Sequence, residues 1–245
     1  MQGKSVLITG GARRVGATIA RRLHGAGANL TLHYRASAQD ALALQSELNA
    51  ARAGSVAIVQ ADLLDLRSLP GLVAETLANF GRLDALVNNA SSFFRTPIGQ
   101  ITPEAWDDLV GTNLRAPLFL AQAAAEELKR TRGSIVNITD IHAERPLEDF
   151  VVYSIAKSGL AGLTRSLARE LAPEVRVNAV APGPILWPED SSFDDEARRQ
   201  IIAHTLLKRE GTPDDIARAV HYLIADAPYV TGQTINVDGG RHVAI

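Results

Sequence analysis

The chain has 245 residues, 46% hydrophobic and 21% charged, the make-up of an ordinary folded protein and the length of one large α/β domain. Lys plus Arg number 25 against 27 for Asp plus Glu, a net charge of −2, which argues against electrostatic binding of nucleic acid or membrane. Cysteine is absent, which excludes disulfides, cysteine nucleophiles, iron–sulfur clusters and cysteine-ligated zinc.

The opening MQGKSVLITGG has no leader pattern, and no apolar run approaches the roughly 18 residues a membrane span needs. The expectation is a soluble, cytoplasmic protein folded as a single domain over 1–245. Seven short runs rich in Val, Ile and Leu follow in order: 5–9, 29–34, 56–60, 83–88, 134–138, 175–180 and 233–237. Most are continuously apolar, as strands buried on both faces are. Helical patterns alternate with them near 14–26, 39–52, 67–79, 103–128, 151–171 and 213–225. Thr212-Pro213-Asp214-Asp215 is a strong helix start: a capping hydroxyl, Pro at the first position, then acids at the positive end. This alternation predicts a doubly wound Rossmann-type α/β fold, a seven-stranded, mostly parallel sheet with helices on both faces. Ligands of such folds bind beyond the carboxyl ends of the strands.

After the first strand comes Thr9-Gly10-Gly11-Ala12-Arg13-Arg14-Val15-Gly16, then a helix. Glycines at a strand-to-helix turn let backbone approach a pyrophosphate at the helix start. The second strand ends in His33-Tyr34-Arg35-Ala36-Ser37, without the acid that usually binds a ribose 2′-hydroxyl. Arg35, Ser37 and Arg14 offer donors to a 2′-phosphate instead, which predicts NADPH over NADH. Asp62 follows the third strand, where it either accepts from an adenine amine or caps the next helix. Asn88-Asn89-Ala90 ends the fourth strand. Tyr153 and Lys157 stand four apart in a helical stretch, so they share a face. A neighbouring ammonium lowers a phenol pKa, which makes Tyr153 a candidate general acid tuned by Lys157. The six histidines are scattered without ligand spacing, so no metal site is expected, and His33 and His142 read as packing or surface residues.

In order and spacing, the glycine turn, Asn88-Asn89-Ala90, Asn113, Tyr153 with Lys157, and Pro182-Gly183 resemble the short-chain dehydrogenase/reductase superfamily over essentially the whole chain. The resemblance implies that Asn113 holds a water in a proton relay and that Pro182, Gly183 and Ile185 contact nicotinamide. It also implies cofactor contacts at Gly10, Arg13, Arg14, Val15, Tyr34, Arg35, Ser37, Asp62, Leu63, Asn89, Ala90, Ser91, Tyr153 and Lys157. Two departures carry more information. Arg14 stands where the superfamily's turn has its usual third glycine, and Asp140 stands thirteen residues before Tyr153, where a serine is usual. Both are features of the pteridine reductase branch, which this sequence resembles closely.

That resemblance implies a pterin or folate substrate, with Phe93 stacked on the ring and Ser91, Arg14, Asp140, Tyr153 and Trp187 around it. Ala36 departs from the branch, which carries a basic residue beside the serine; Arg35 is the candidate substitute. Phe94 fits core packing better than ligand contact. The superfamily's substrate loop falls at about 186–200, where Trp187 either closes over the ligand or packs the loop down. Relatives assemble as tetramers, so a homotetramer is implied. The runner-up reading is a general carbonyl or 3-oxoacyl reductase, against which Asp140 counts. A catalytically silent dinucleotide-binding regulator is a third, and Asn113, Tyr153 and Lys157 count against it.

Overall fold

The computed structural model describes residues 1–187 and 193–244. Seven strands form one sheet: β1 (Ser5–Ile8), β2 (Asn29–Tyr34), β3 (Val56–Gln60), β4 (Ala85–Asn88), β5 (Ser134–Ile138), β6 (Arg176–Pro182) and β7 (Thr234–Val237). Their order is β3-β2-β1-β4-β5-β6-β7, and all six pairings are parallel rather than mostly so. The order reverses between β1 and β4, and a crevice opens beyond the strand ends at such a switch point.

The helices are α1 (Arg14–Gly25), α2 (Ala38–Ala51), α3 (Leu69–Phe80), α4 (Pro103–Val110), α5 (Ala116–Thr131), α6 (Val151–Glu170), α7 (Asp195–Ala203), α8 (Pro213–Ala225) and the one-turn α9 (Arg241–Ala244). Successive side chains of a strand point to opposite faces, which explains the unbroken apolar runs. Val6 and Ile8 join Leu23 of α1, Leu44 of α2 and Val220 of α8 in one core. Leu7 joins Leu72 of α3, Leu120 of α5 and Leu171 in the other. The start of α8 is a full capping box: Thr212 accepts from the Asp215 N–H, and the Asp215 carboxylate accepts from that of Thr212.

Two local features depart from the sequence expectation. The stretch expected as one helix over 103–128 contains a π-helical turn at Gly111–Arg115. Its side-chain amide supplies a physical reason, because Asn113 Nδ2 donates to the Leu109 carbonyl at 2.9 Å. A regular α-helix would pair that carbonyl with the Asn113 backbone N–H. The expected substrate loop at 186–200 also ends early. Asp194 accepts from the Ala197 N–H at 2.8 Å, and Asp195 and Glu196 sit in the first turn of α7. Residues 188–192 of that stretch lie outside the described residues.

Gly16 belongs to the first turn of α1 and packs against the glycine turn; a Cβ there would lie 2.1 Å from the Gly10 carbonyl oxygen. That oxygen is backbone and cannot swing away. Gly16→Ala is expected to cost about 3 kcal/mol, the upper range for overpacking. In a thermal melt this lowers Tm by about 10 °C in a domain of this size; an unchanged melt would show that the turn yields freely.

Candidate active site

At the carboxyl edge of the sheet, a cavity of about 440 Å³ opens around the glycine turn. Gly10 has φ +59°, a conformation that favours glycine, and a Cβ there would meet the Ala90 Cα at 3.0 Å. Asn89 straps the turn in place, its Nδ2 donating to the carbonyls of Thr9 and Gly10 at 3.0 and 2.9 Å. The Thr9 hydroxyl accepts from the N–H groups of Asn89 and Ala90. From the other side, the Gly10 N–H donates to His33 Nδ1 at 3.2 Å, and His33 Nε2 lies 3.1 Å from the Ala61 carbonyl. This pairing is satisfied by the neutral ring with its proton on Nε2. Burial pushes the His33 pKa down and keeps it in that form. His33 therefore locks β1, β2 and β3 together under the turn. The sequence predicts only a packing or surface role, because nothing in a lone histidine reveals which backbone N–H it faces.

Arg14 occupies the left-handed region, φ 51°, a conformation that favours the glycine usual at this position in the superfamily's turn. Its Nη2 donates to the carbonyls of Leu186 and Trp187 at 3.4 and 2.7 Å. Arg13, Arg14, Tyr34, Arg35, Ser37, Asp62 and Leu63 all line the first cavity, as do Val15, Asn89, Ala90, Ser91 and Pro182. Ser37 begins α2 without a side-chain cap bond. Asp62 accepts from the Leu64 N–H at 3.0 Å, so it stabilises its own turn while facing the cavity. Arg13 lies 3.7 Å from Asp40.

A second cavity, of about 580 Å³, adjoins the first and shares Arg14, Val15, Ser91, Asp140, Tyr153, Pro182 and Leu186 with it. Phe93, Trp187, Gly183 and Ile185 line the second cavity rather than the first. The Phe93 ring stacks on Phe150 at 4.5 Å and meets Tyr153 edge-on at 4.8 Å. Phe94 packs against the cluster of Leu109, Phe150, Val152 and Tyr153. Trp187 Nε1 donates to Glu210 at 2.7 Å, and its ring lies 5.7 Å from that of Phe193, so it is tied down while it faces the cavity.

Between the cavities sits a buried polar cluster. The Tyr153 hydroxyl donates to Asp140 Oδ2 at 2.7 Å, and Asp140 Oδ1 accepts from the His142 N–H at 2.9 Å. Lys157 Nζ donates to the Ile138 carbonyl at 2.9 Å and lies 5.6 Å from the centre of the Tyr153 ring. The side chains of Asn88, Asn137 and Thr164 form a hydrogen-bonded row from β4 through β5 to α6, which fixes the helix carrying Tyr153 and Lys157. Burial pushes the Lys157 pKa down to about 8, against the pull of Asp140. Burial likewise pushes the Tyr153 phenol well above 10, and Asp140 pushes it the same way. The sequence expectation was a phenol lowered by the ammonium. Burial disfavours the phenolate, the carboxylate touching the phenol adds to that, and the ammonium is turned to a backbone carbonyl, so the opposite direction prevails.

Asn113 lines neither cavity. Its Oδ1 accepts from the Ser91 hydroxyl at 2.6 Å, and Nδ2 donates to the Ser92 and Leu109 carbonyls. Among the described residues no group of three or more His, Asp or Glu could hold a metal, and no helix is long and apolar enough to cross a membrane.

A glycine turn at the switch point, with a Tyr-x-x-x-Lys helix beside it, defines a dinucleotide-dependent oxidoreductase. Residues 10–242 match the family model described as Enoyl-(Acyl carrier protein) reductase. Pteridine reductase 1 of Leishmania tarentolae is 38% identical, covering 96% of this chain and 94% of its own length. A 3-oxoacyl-(acyl-carrier-protein) reductase of Staphylococcus aureus is 37% identical, covering 98% of each chain. A blue fluorescent protein from a metagenomic library, solved in complex with NADPH, superposes with TM-score 0.92 at 35% identity, covering 98% of each chain. The chain belongs to the short-chain dehydrogenase/reductase superfamily.

The Tyr153 phenol can be followed by NMR with ring-labelled tyrosine, its signal assigned with Tyr153→Phe. Asp140→Asn is expected to move its titration at least about one pH unit lower, because a contacting charge is removed. An unmoved titration would assign the raised pKa to burial alone.

Proposed function

We propose that this oxidoreductase is an NADPH-dependent pteridine reductase. The observation that carries the reading is the 2.7 Å bond from Tyr153 to Asp140, at the wall of a cavity faced by Phe93. A carbonyl reductase needs a neutral donor where Asp140 stands, and an ionised carboxylate cannot donate. A flat heteroaromatic ring needs a π-face and fixed polar groups, which Phe93, Ser91 and Asp140 supply.

The first cavity suits the phosphorylated dinucleotide. The first turn of α1 carries no acid, and its N-cap, Arg13, makes no side-chain cap bond. No acid ends β2, while Arg14, Arg35 and Ser37 face the cavity. NADPH, when bound, supplies the hydride. The protein's task is alignment and proton delivery. For a 7,8-dihydropterin, hydride adds to C6 of the C6=N5 bond and Tyr153 gives its proton to N5. Asp140 and burial keep Tyr153 protonated until N5 becomes basic enough to take that proton. The Lys157 ammonium, on the same helix face, then stabilises the phenolate left behind. For a fully oxidised pterin, hydride adds to C7, and N8 takes a proton through water from Asp140 once that carboxylate has itself taken one up from solvent.

The relative from Staphylococcus aureus favours a second reading, 3-oxoacyl reduction, at nearly the same identity. NADPH oxidation with 7,8-dihydrobiopterin, run beside a 3-oxoacyl thioester and beside NADH, separates the two. The pterin is expected to turn over with NADPH at least about ten-fold more efficiently than with NADH, the worth of one charged hydrogen bond to phosphate. Turnover of the thioester alone would sink the pterin reading.

Tyr153→Phe is expected to cut dihydropterin reduction about 10²- to 10⁴-fold, the usual share of a general acid, with NADPH affinity nearly kept. Unchanged turnover would remove Tyr153 as the acid. The pH profile gives a further check. Lys157 is charged below about 8 and neutral above it. kcat/KM should therefore fall as pH rises through about 8, and a flat profile to pH 10 would exclude Lys157 as the stabilising cation.

A further inference from the structure

One charged group of the second cavity has no part in the reaction described so far. Arg241 opens α9, just beyond β7, and lines the cavity together with Ile201 and Trp187. Its Nη1 donates to the Ile201 carbonyl at 2.9 Å. Partial burial lowers its pKa, with Asp238 acting weakly the other way. Asp238 is spent on its own turn: it accepts from the N–H groups of Gly240 and His242 and from the His242 ring. Among the described residues no ion pair holds Arg241, whereas Arg21, Arg22 and Arg82 each grip a carboxylate.

A guanidinium carries five N–H donors in a fork that matches an oxyanion. Partly desolvating one without a counter-charge is unfavourable, and an anion arriving with the substrate removes that cost. Its position suits a remote contact. Asp140 follows β5 and Arg241 follows β7, with β6 between them, so the two stations lie on the order of 10 Å apart at strand spacing.

We propose that Arg241 captures an oxyanion, carboxylate or phosphate, on the part of the substrate remote from the reacting bond. The natural substrate is then an acid-bearing molecule rather than a neutral one. The proposal rests on the reading of the second cavity as the substrate site. Two sources supply such a group: the glutamate of a folate-type dihydropterin, or the phosphates of an acyl thioester carrier.

The test compares wild type, Arg241→Gln and Arg241→Lys with 7,8-dihydrofolate and 7,8-dihydrobiopterin, both with NADPH. Arg241→Gln is expected to raise the ratio of the two KM values, dihydrofolate over dihydrobiopterin, about ten-fold, as loss of one charged hydrogen bond does, with the kcat ratio within about two-fold. Arg241→Lys should recover part of that ratio, because it keeps the charge and loses the fork. An unchanged ratio overturns the proposal. That includes the case in which both KM values rise together, since Arg241 then acts only as a scaffold for the Ile201 carbonyl. If wild type reduces neither pterin but does reduce acetoacetyl-coenzyme A, the pteridine reading falls by itself. The anion proposal is then decided by acetoacetyl-coenzyme A against neutral ethyl acetoacetate. A KM ratio raised by Arg241→Gln supports it, and an unchanged one overturns it.

Discussion

Because every pairing in the sheet is parallel, all seven strands deliver their carboxyl ends to one edge. A parallel ladder leaves the last residues of each strand beside those of its neighbours, however far apart they stand in the chain. Gly10, His33, Asn89, Asp140 and Pro182 come from five strand ends and meet around two adjoining cavities. Their mutual hydrogen bonds, Asn89 to Gly10 and Gly10 to His33, turn that convergence into a fixed geometry. The helices add what the edge lacks. α1 brings a positive terminus, and α6 brings a phenol and an ammonium one turn apart.

The phenol at this edge is held protonated by its burial and by a contacting carboxylate. Asp140 is in hydrogen-bond contact, and Lys157 is farther off, with its ammonium on a backbone carbonyl. A serine in place of Asp140 would leave the ammonium unopposed and the phenol easier to ionise. With aspartate there, on the proposed function, the phenol stays protonated and releases its proton only to a group made strongly basic by the reaction itself. That suits delivery to a ring nitrogen that has just gained an electron pair.

Most of the architecture was legible in the chain because buried parallel strands must be apolar on both faces. β2, β3 and β5 were located to the residue by that pattern alone. The helix start at Thr212 was legible from capping chemistry. What escaped was structure decided by contacts distant in sequence. The π-turn at Gly111–Arg115 depends on where the Asn113 amide points. α7 hides in a polar stretch with no buried residue, so no apolar period marks it. The pairing of Tyr153 with Lys157 was visible as a spacing, but the phenol's pKa is raised first by its burial and then by Asp140 reaching it from another element, neither of which the spacing encodes. His33 read as bland because its importance lies in two backbone partners that no local motif encodes. Arg14 read as a phosphate ligand, yet its guanidinium also reaches a segment 172 residues away.

That reach has a thermodynamic corollary. The Nη2 group that holds the Trp187 carbonyl belongs to the same guanidinium that faces the first cavity. A hydrogen bond given to an incoming phosphate is one withdrawn from the segment bordering the second cavity, unless both are made at once. The two cavities are therefore linked energetically through a single side chain. Linkage is reciprocal: whatever an occupant of the first does to the mobility of that border, an occupant of the second returns in affinity for the first. A bond of this charged kind is worth about 1.5–3 kcal/mol, which sets the ceiling on that coupling. Arg14 thus places one side chain between the two cavities, at a position where a glycine would offer no such bond.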